Sequence, residues 1–249
     1  FPYQETETLY LDLTLSQAGF PLGGMIVKSS PIIFDLDSDG IKEIYFGSDN
    51  EALHGYNSFG EEISGFPFQS SDRVRSSPAI GDVDNDGQME IVFGNSAGKL
   101  YVLNHDGTQQ LAYTILGFIE GAPALVDVDG DQDLEIVFTT TTTSGGQLYV
   151  IHHNGTTMSG FPKELGSMWA GPAVHDIDND GFYDVVCATY NKEVYAIEVN
   201  GGSVKPGFPF TASGRFSTPP TIVDVDSDGD YEIVVGSNNG ELYVLHHDG

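Results

Sequence analysis

Basic side chains are scarce in this chain. Nine Lys and Arg stand against 37 Asp and Glu over 249 residues, a formal charge of −28. A surface of that sign repels nucleic-acid phosphates and anionic lipid headgroups, so neither is expected as a partner. Cysteine is nearly missing too: Cys187 stands alone, which excludes an intrachain disulfide. Its setting in the apolar run Asp184-Val-Val-Cys187-Ala reads as a buried, inert thiol. No apolar run approaches the roughly 20 residues a membrane-spanning helix needs, and no stretch keeps a convincing helical period. Phe1-Pro2-Tyr3 offers neither an initiator methionine nor a signal peptide, so the sequence reads as a mature or excised piece. Nucleophile motifs and phosphate-cradling glycine loops are absent as well.

What is abundant is carboxylate, and it is placed periodically. Five nine-residue acidic loops start at residues 35, 82, 127, 176 and 224, spacings of 47, 45, 49 and 48, and hold 22 of the 37 acids. Acids occupy positions 1, 3, 5 and 9 of each loop. They are Asp35, Asp37, Asp39 and Glu43, then Asp82, Asp84, Asp86 and Glu90, then Asp127, Asp129, Asp131 and Glu135. Asp176, Asp178, Asp180 and Asp184 follow, and Asp224, Asp226, Asp228 and Glu232 complete the set. Position 7 holds Ile41, Gln88, Asp133, Phe182 and Asp230, a variety that suits a backbone carbonyl ligand. A hard divalent cation takes six to eight oxygens in such a loop, so the pattern reads as up to five Ca²⁺ sites. Without an ion the clustered carboxylates would repel one another. Gly40, Gly87, Gly181 and Gly229 at position 6 allow the left-handed turn that wraps the ion. The third loop instead has Gln132 there and Gly130 at position 4. A non-glycine residue in that conformation costs on the order of 1 kcal/mol, so this loop is expected to bind weakest, by about tenfold.

The loops keep time with a longer repeat. In each unit a proline opens a short apolar strand, the acidic loop follows, and then come a second strand such as Glu90–Gly94 and a third such as Lys99–Leu103. A turn such as His105-Asp106-Gly107 leads to a weaker fourth strand and, in most units, to Gly-Phe-Pro, as at Gly65-Phe66-Pro67. Four short strands repeated every 45 to 49 residues indicate propeller blades. The expected fold is all-β: a five-bladed β-propeller of four-stranded antiparallel blades. One domain spans 1–249, with blades starting near 30, 77, 122, 171 and 218, and an N-terminal strand at about 8–15 completing the last blade and closing the ring.

These loops, framed by proline-opened and glycine-ended strands, resemble the FG-GAP/VCBS repeats of integrin α-subunit propellers and of many secreted bacterial proteins. The resemblance covers essentially the whole chain. It implies an extracellular or cell-surface propeller whose acidic loops lie on one face, between the first and second strands, with structural calcium. Ligands would then bind the other face. There the repeat breaks down three residues before each opening proline, at Lys28, Arg75, Glu120, Trp169 and Phe216. Five dissimilar side chains at equivalent positions are expected to ring the channel mouth as a recognition surface, joined by Tyr190 from a neighbouring turn. A three-residue insertion after the second strand of blade three, within Thr139–Gly146, enlarges the same face. Aromatic rings beside polar groups suit a carbohydrate or an extracellular protein. The expected function is therefore a secreted binding or adhesion module, with no catalytic residues assigned. A polysaccharide lyase or hydrolase using Lys28, Arg75 and Glu120 is one alternative, and a ligand-free spacer in a larger multidomain surface protein is the other. The histidines that recur in hairpin turns, His105, His153 and His247, read as structural.

Overall fold

The computed structural model describes residues 17–249, and among them all regular structure is β. Sheet one is built from β1 (Ile32–Phe34), β2 (Glu43–Gly47), β3 (Ala52–Tyr56) and β4 (Phe68–Gln69). Sheet two follows with β5 (Ala79–Gly81), β6 (Glu90–Gly94), β7 (Lys99–Leu103) and β8 (Gln109–Thr114). Sheet three holds β9 (Ala124–Val126), β10 (Glu135–Thr139), β11 (Gly146–Ile151) and β12 (Lys163–Leu165). Sheet four has β13 (Ala173–His175), β14 (Asp184–Ala188), β15 (Glu193–Glu198) and β16 (Phe210–Thr211). Sheet five comprises β17 (Thr221–Val223), β18 (Glu232–Gly236) and β19 (Leu242–Leu245). Every sheet is an antiparallel meander in chain order. The expected strand at 8–15 lies outside the described residues.

The second strands explain the packing. β6, β10 and β14 are buried at every position, and their apolar runs are what a strand covered on both faces requires. Side chains alternate along a strand, so successive residues serve successive interfaces. On β6, Ile91 and Phe93 pack with Tyr45 and Leu53 of sheet one, whereas Val92 packs with Ile136 and Phe138 of sheet three. On β10, Val137 turns the other way, toward Val185 and Cys187 of sheet four. On β14, Val186 and Ala188 face Ile233 and Val235 of sheet five. Four hydrophobic cores thus lie between five sheets set face to face. First strands of neighbouring sheets approach one another, β5 to β9, β9 to β13 and β13 to β17. At the two ends of this row apolar side chains stay exposed, Ile33 on sheet one, and Leu242 and Val244 on sheet five.

Candidate metal centres and the opposite face

Each acidic loop joins the first strand of its sheet to the second, and the position 9 acid is the first residue of that second strand. Sheet packing therefore carries Glu43, Glu90, Glu135, Asp184 and Glu232 inward, none more than 5% exposed. One oxygen of each accepts the N–H of position 2: Leu36 at 3.2 Å, Val83 at 2.9 Å, Val128 at 2.9 Å, Ile177 at 3.3 Å and Val225 at 2.8 Å. Position 1 fixes the wrap. The two oxygens of Asp35 accept from Asp39 N at 3.0 Å and Gly40 N at 2.9 Å, and Asp82 and Asp176 repeat both distances. The position 5 carboxylate then takes the N–H of position 7, as in Asp39 with Ile41 at 2.7 Å and Asp180 with Phe182 at 2.9 Å.

Two residues per loop are left-handed, not one. Position 6 has φ from 90° to 100° at Gly40, Gly87, Gly181 and Gly229, and Gln132 follows at 80°. Position 4 also has positive φ, at Ser38, Asn85, Asn179, Ser227 and Gly130. The third loop has thus moved its glycine from one left-handed position to the other and keeps the same turn. Its relief at Gly130 offsets part of the strain at Gln132.

The electrostatics of this arrangement ask for a cation. Ligand-capable oxygens of Asp35, Asp37 and Asp39 lie within 4.8 Å of one another, as do those of Asp82, Asp84 and Glu90. Asp84 Oδ1, Asp178 Oδ1, Asp184 Oδ1 and Glu232 Oε1 are buried acceptors with no hydrogen-bond partner among the described residues. Burial, reinforced by neighbouring aspartates, pushes the Glu90 carboxyl up to about 7 and raises Glu43 in the same way. Asp184 is pushed up to about 6 by burial. Orphaned, desolvated carboxylate oxygens of this kind are a fit for a hard divalent ion, with oxygen ligands only.

Three loops bring in further side chains that sequence reasoning did not connect to them. In the third, His152 Nδ1 lies 3.0 Å from Glu135 Oε1, and His153 Nδ1 lies 2.8 Å from Asp133 Oδ2. In the fifth, His246 and His247 take the same places, 3.4 Å from Glu232 and 3.6 Å from Asp230. The His-His pair before each hairpin turn was the available signal. In the fourth, the Lys205 ammonium sits 2.8 Å from Asp178 and 3.1 Å from Asp184.

On the segments that lead into the first strands, Lys28 and Arg75 converge on Asp49. Arg75 holds it through both carboxylate oxygens, at 2.7 and 3.0 Å, and Lys28 stands 3.9 Å away. The Arg75 hydrogen bonds keep the Asp49 carboxyl below the usual range. Glu120 accepts from Ser96 Oγ at 3.0 Å. Trp169 is 43% exposed, and Tyr190 is exposed with the Arg215 guanidinium 4.6 Å above its ring. Arg215 was not singled out from the sequence. Neighbouring segments are tied directly, Ser30 N to Ser77 Oγ at 2.8 Å and Ser76 Oγ to Gly121 O at 2.8 Å.

Phe216 does not belong to this surface. It is 1% exposed and packs between sheets four and five. Backbone register shows why: the N–H groups of Asp49, Ser96, Tyr190 and Asn238 bond to Ile26, Arg73, Ser167 and Arg215, so Lys28, Arg75, Trp169 and Ser217 are equivalent. Sheet five has two opening prolines, Pro219 and Pro220, and counting back from the first lands one residue short. Ser217 is the surface residue. The insertion in sheet three is largely packed in: Thr140 and Thr141 are buried, and only Thr143 and Ser144 are exposed.

A family model for FG-GAP-like repeats matches residues 35–93, 82–138, 127–187 and 176–235. No curated protein matches the sequence. Among solved structures, the chain is similar to the V. cholerae biofilm matrix protein Bap1, at TM-score 0.67 and 21% identity, over 90% of this chain and 38% of that one. It is also similar to the C-terminal domain of Pseudomonas aeruginosa PilY1, at 0.63 and 16%, over 80% and 52%. The WD40 beta propeller domain of Doa1 matches at 0.55 and 13%, over 82% and 60%. The chain spans less than two thirds of each of these proteins, and at such identities the likeness is one of fold.

Proposed function

Because the chain belongs to the FG-GAP-like repeat family, we propose that it is a calcium-carrying β-propeller that works outside the cell as a binding module. The orphaned, buried oxygens Asp84 Oδ1 and Glu232 Oε1, with the clustered carboxylates of loops one, two and three, carry this proposal. The carboxylates at positions 1, 3, 5 and 9, with the position 7 carbonyls, would hold calcium and fasten the first strand of each sheet to the second. Millimolar extracellular calcium suits such loops. The five sheets would close around one axis with the segment at 8–15 completing the last blade, which would cover the apolar ends of the row.

The ligand face would be the opposite one, where Lys28, Arg75, Glu120, Trp169 and the Tyr190–Arg215 pair are presented. An exposed indole and a guanidinium-capped phenol each suit the apolar face of a sugar or a protein hot spot. Clamping of Asp49 by Arg75 and capping of Glu120 by Ser96 favour recognition over catalysis. The fold is similar to that of the biofilm matrix protein Bap1, and an adhesive role in a larger surface protein agrees with that likeness.

Thermal melts with calcium and with EDTA test the metal half. Each filled site adds about 1.4 kcal/mol at ten times its Kd, so EDTA should lower Tm clearly, and an unchanged melt would end the calcium reading. Glycan arrays and pull-downs with wild type, Trp169→Ala and Arg215→Ala test the other half. A ligand lost in both variants supports it. Binding indifferent to both, or turnover of an acidic polysaccharide, overturns it.

A further inference from the structure

We propose that the fourth acidic loop is neutralised by the chain's own Lys205 and takes no calcium, so that the protein binds four ions instead of five. The inference rests on the calcium reading of the other loops and corrects it at this one.

Register identifies Lys205 as the anomaly. Its N–H donates to Ala196 O, as Ile63 donates to Gly55 O and Met158 to Val150 O, and in sheet two Leu111 stands opposite Val102 in the same place. In three sheets the position is therefore apolar, and Ile63, Leu111 and Met158 pack against the cores between sheets. In sheet four it is a lysine, only 7% exposed, whose ammonium has turned into the acidic loop. Nζ lies 2.8 Å from Asp178 Oδ2, 3.1 Å from Asp184 Oδ2 and 3.8 Å from Asp180 Oδ2. Those carboxylates are positions 3, 9 and 5, three of the acids the other loops would offer to a metal.

A second change accompanies the first. Position 9 is glutamate in four loops and aspartate only at Asp184. The side chain one methylene shorter draws its carboxylate back toward β14 and leaves space for an ammonium beside it. Long side chain and short partner are thus complementary, and both occur in one sheet. A buried lysine is costly unless paired, and here it is paired with carboxylates that would otherwise be desolvated without a countercharge. A divalent ion at the same oxygens would sit within a few ångströms of a fixed positive charge, which opposes its entry. Asp178 Oδ1 and Asp184 Oδ1 keep no partner among the described residues, so counting ions at this loop decides the inference.

Protein stripped with chelator and re-equilibrated in saturating calcium is assayed for bound ion by equilibrium dialysis. Four ions in wild type and five in Lys205→Met, the residue sheet three carries there, are expected. Lys205→Gln serves as a second neutral variant should the methionine protein fold poorly. In chelator both variants should melt below wild type and recover in calcium. Anomalous scattering from calcium-grown wild-type crystals should show peaks at loops one, two, three and five and none at 176–184. Five ions in wild type would overturn the inference while leaving the calcium reading intact. So would four in wild type and both variants alike, since the lysine would then exclude nothing. No ion in wild type would instead remove the calcium reading itself, and the inference with it.

Discussion

At Glu90 a single buried carboxyl ties pH to stability and gives the proposed calcium site a direct test. Its carboxyl is pinned to Val83 N at the start of β6 and pushed up to about 7, first by burial and then by the charges of Asp84, Asp86 and Asp82. The folded pKa lies above the unfolded value near 4.5, so without metal its contribution to stability is whole below about pH 4.5 and is lost as pH rises through 7. Bound calcium would reverse the sense, because it would hold the ionised form. Urea melts in EDTA should therefore show stability falling between pH 5 and 7.5, and millimolar calcium should remove the fall. Glu90→Gln keeps an acceptor for Val83 N without the charge. In EDTA at pH 7.5 it should be roughly 1 to 3 kcal/mol more stable than wild type, and it should lose one calcium-dependent increment. Equal pH slopes for the two proteins in EDTA would contradict this account.

At the scale of the strand, the outcome depends on alternation. Phe138 on β10 is fully buried, its ring stacked on Tyr149 at 4.9 Å and set edge-on to Tyr113, and it joins sheet two to sheet three. Phe138→Ala should cost about 3 to 5 kcal/mol in a calcium-saturated denaturant titration, and a loss under 1 kcal/mol would mean the interface is not packed as described. Strands of this kind were legible in the sequence because burial on both faces demands a continuous apolar run, as in Glu90–Gly94, whose bounds the structure reproduces. The acidic loops were legible because their carboxylates recur at fixed positions and fixed spacing along the chain. Two features were not. Phe216 was misplaced because the doublet Pro219-Pro220 offers two origins for the count, and only backbone pairing shows which one holds. Lys205 was overlooked because fourth strands are short and irregular, so its alignment with Ile63 and Met158 emerges only from hydrogen bonds to the third strand. Histidines read as turn residues likewise turned out to touch the acidic loops, since hairpin and loop lie at the same end of each sheet.

For the whole molecule, charge and closure govern stability. Four calcium ions would bring the formal charge from −28 to −20, easing the self-repulsion that works against a compact state. Closure concerns the two ends of the row of sheets. Leu242 on β19 is 70% exposed and Val244 lies beside it on the same face, while Ile33 is exposed on sheet one. Such a surface is a poor end for a water-soluble stack, because each uncovered aliphatic side chain forfeits roughly 1.5 to 3 kcal/mol of burial. A propeller solves this by bringing the last sheet round to the first. If the ring closes this way, Leu242→Asp places a charge in an apolar seam and should destabilise the calcium-loaded protein by 2 kcal/mol or more. Were the face left open to water, the same substitution would stay within about 0.5 kcal/mol of wild type. Urea titration of the variant, with Ser144→Asp on the exposed sheet-three turn as the surface control, separates the two outcomes. A neutral Leu242→Asp would rule out closure of the last sheet onto the first.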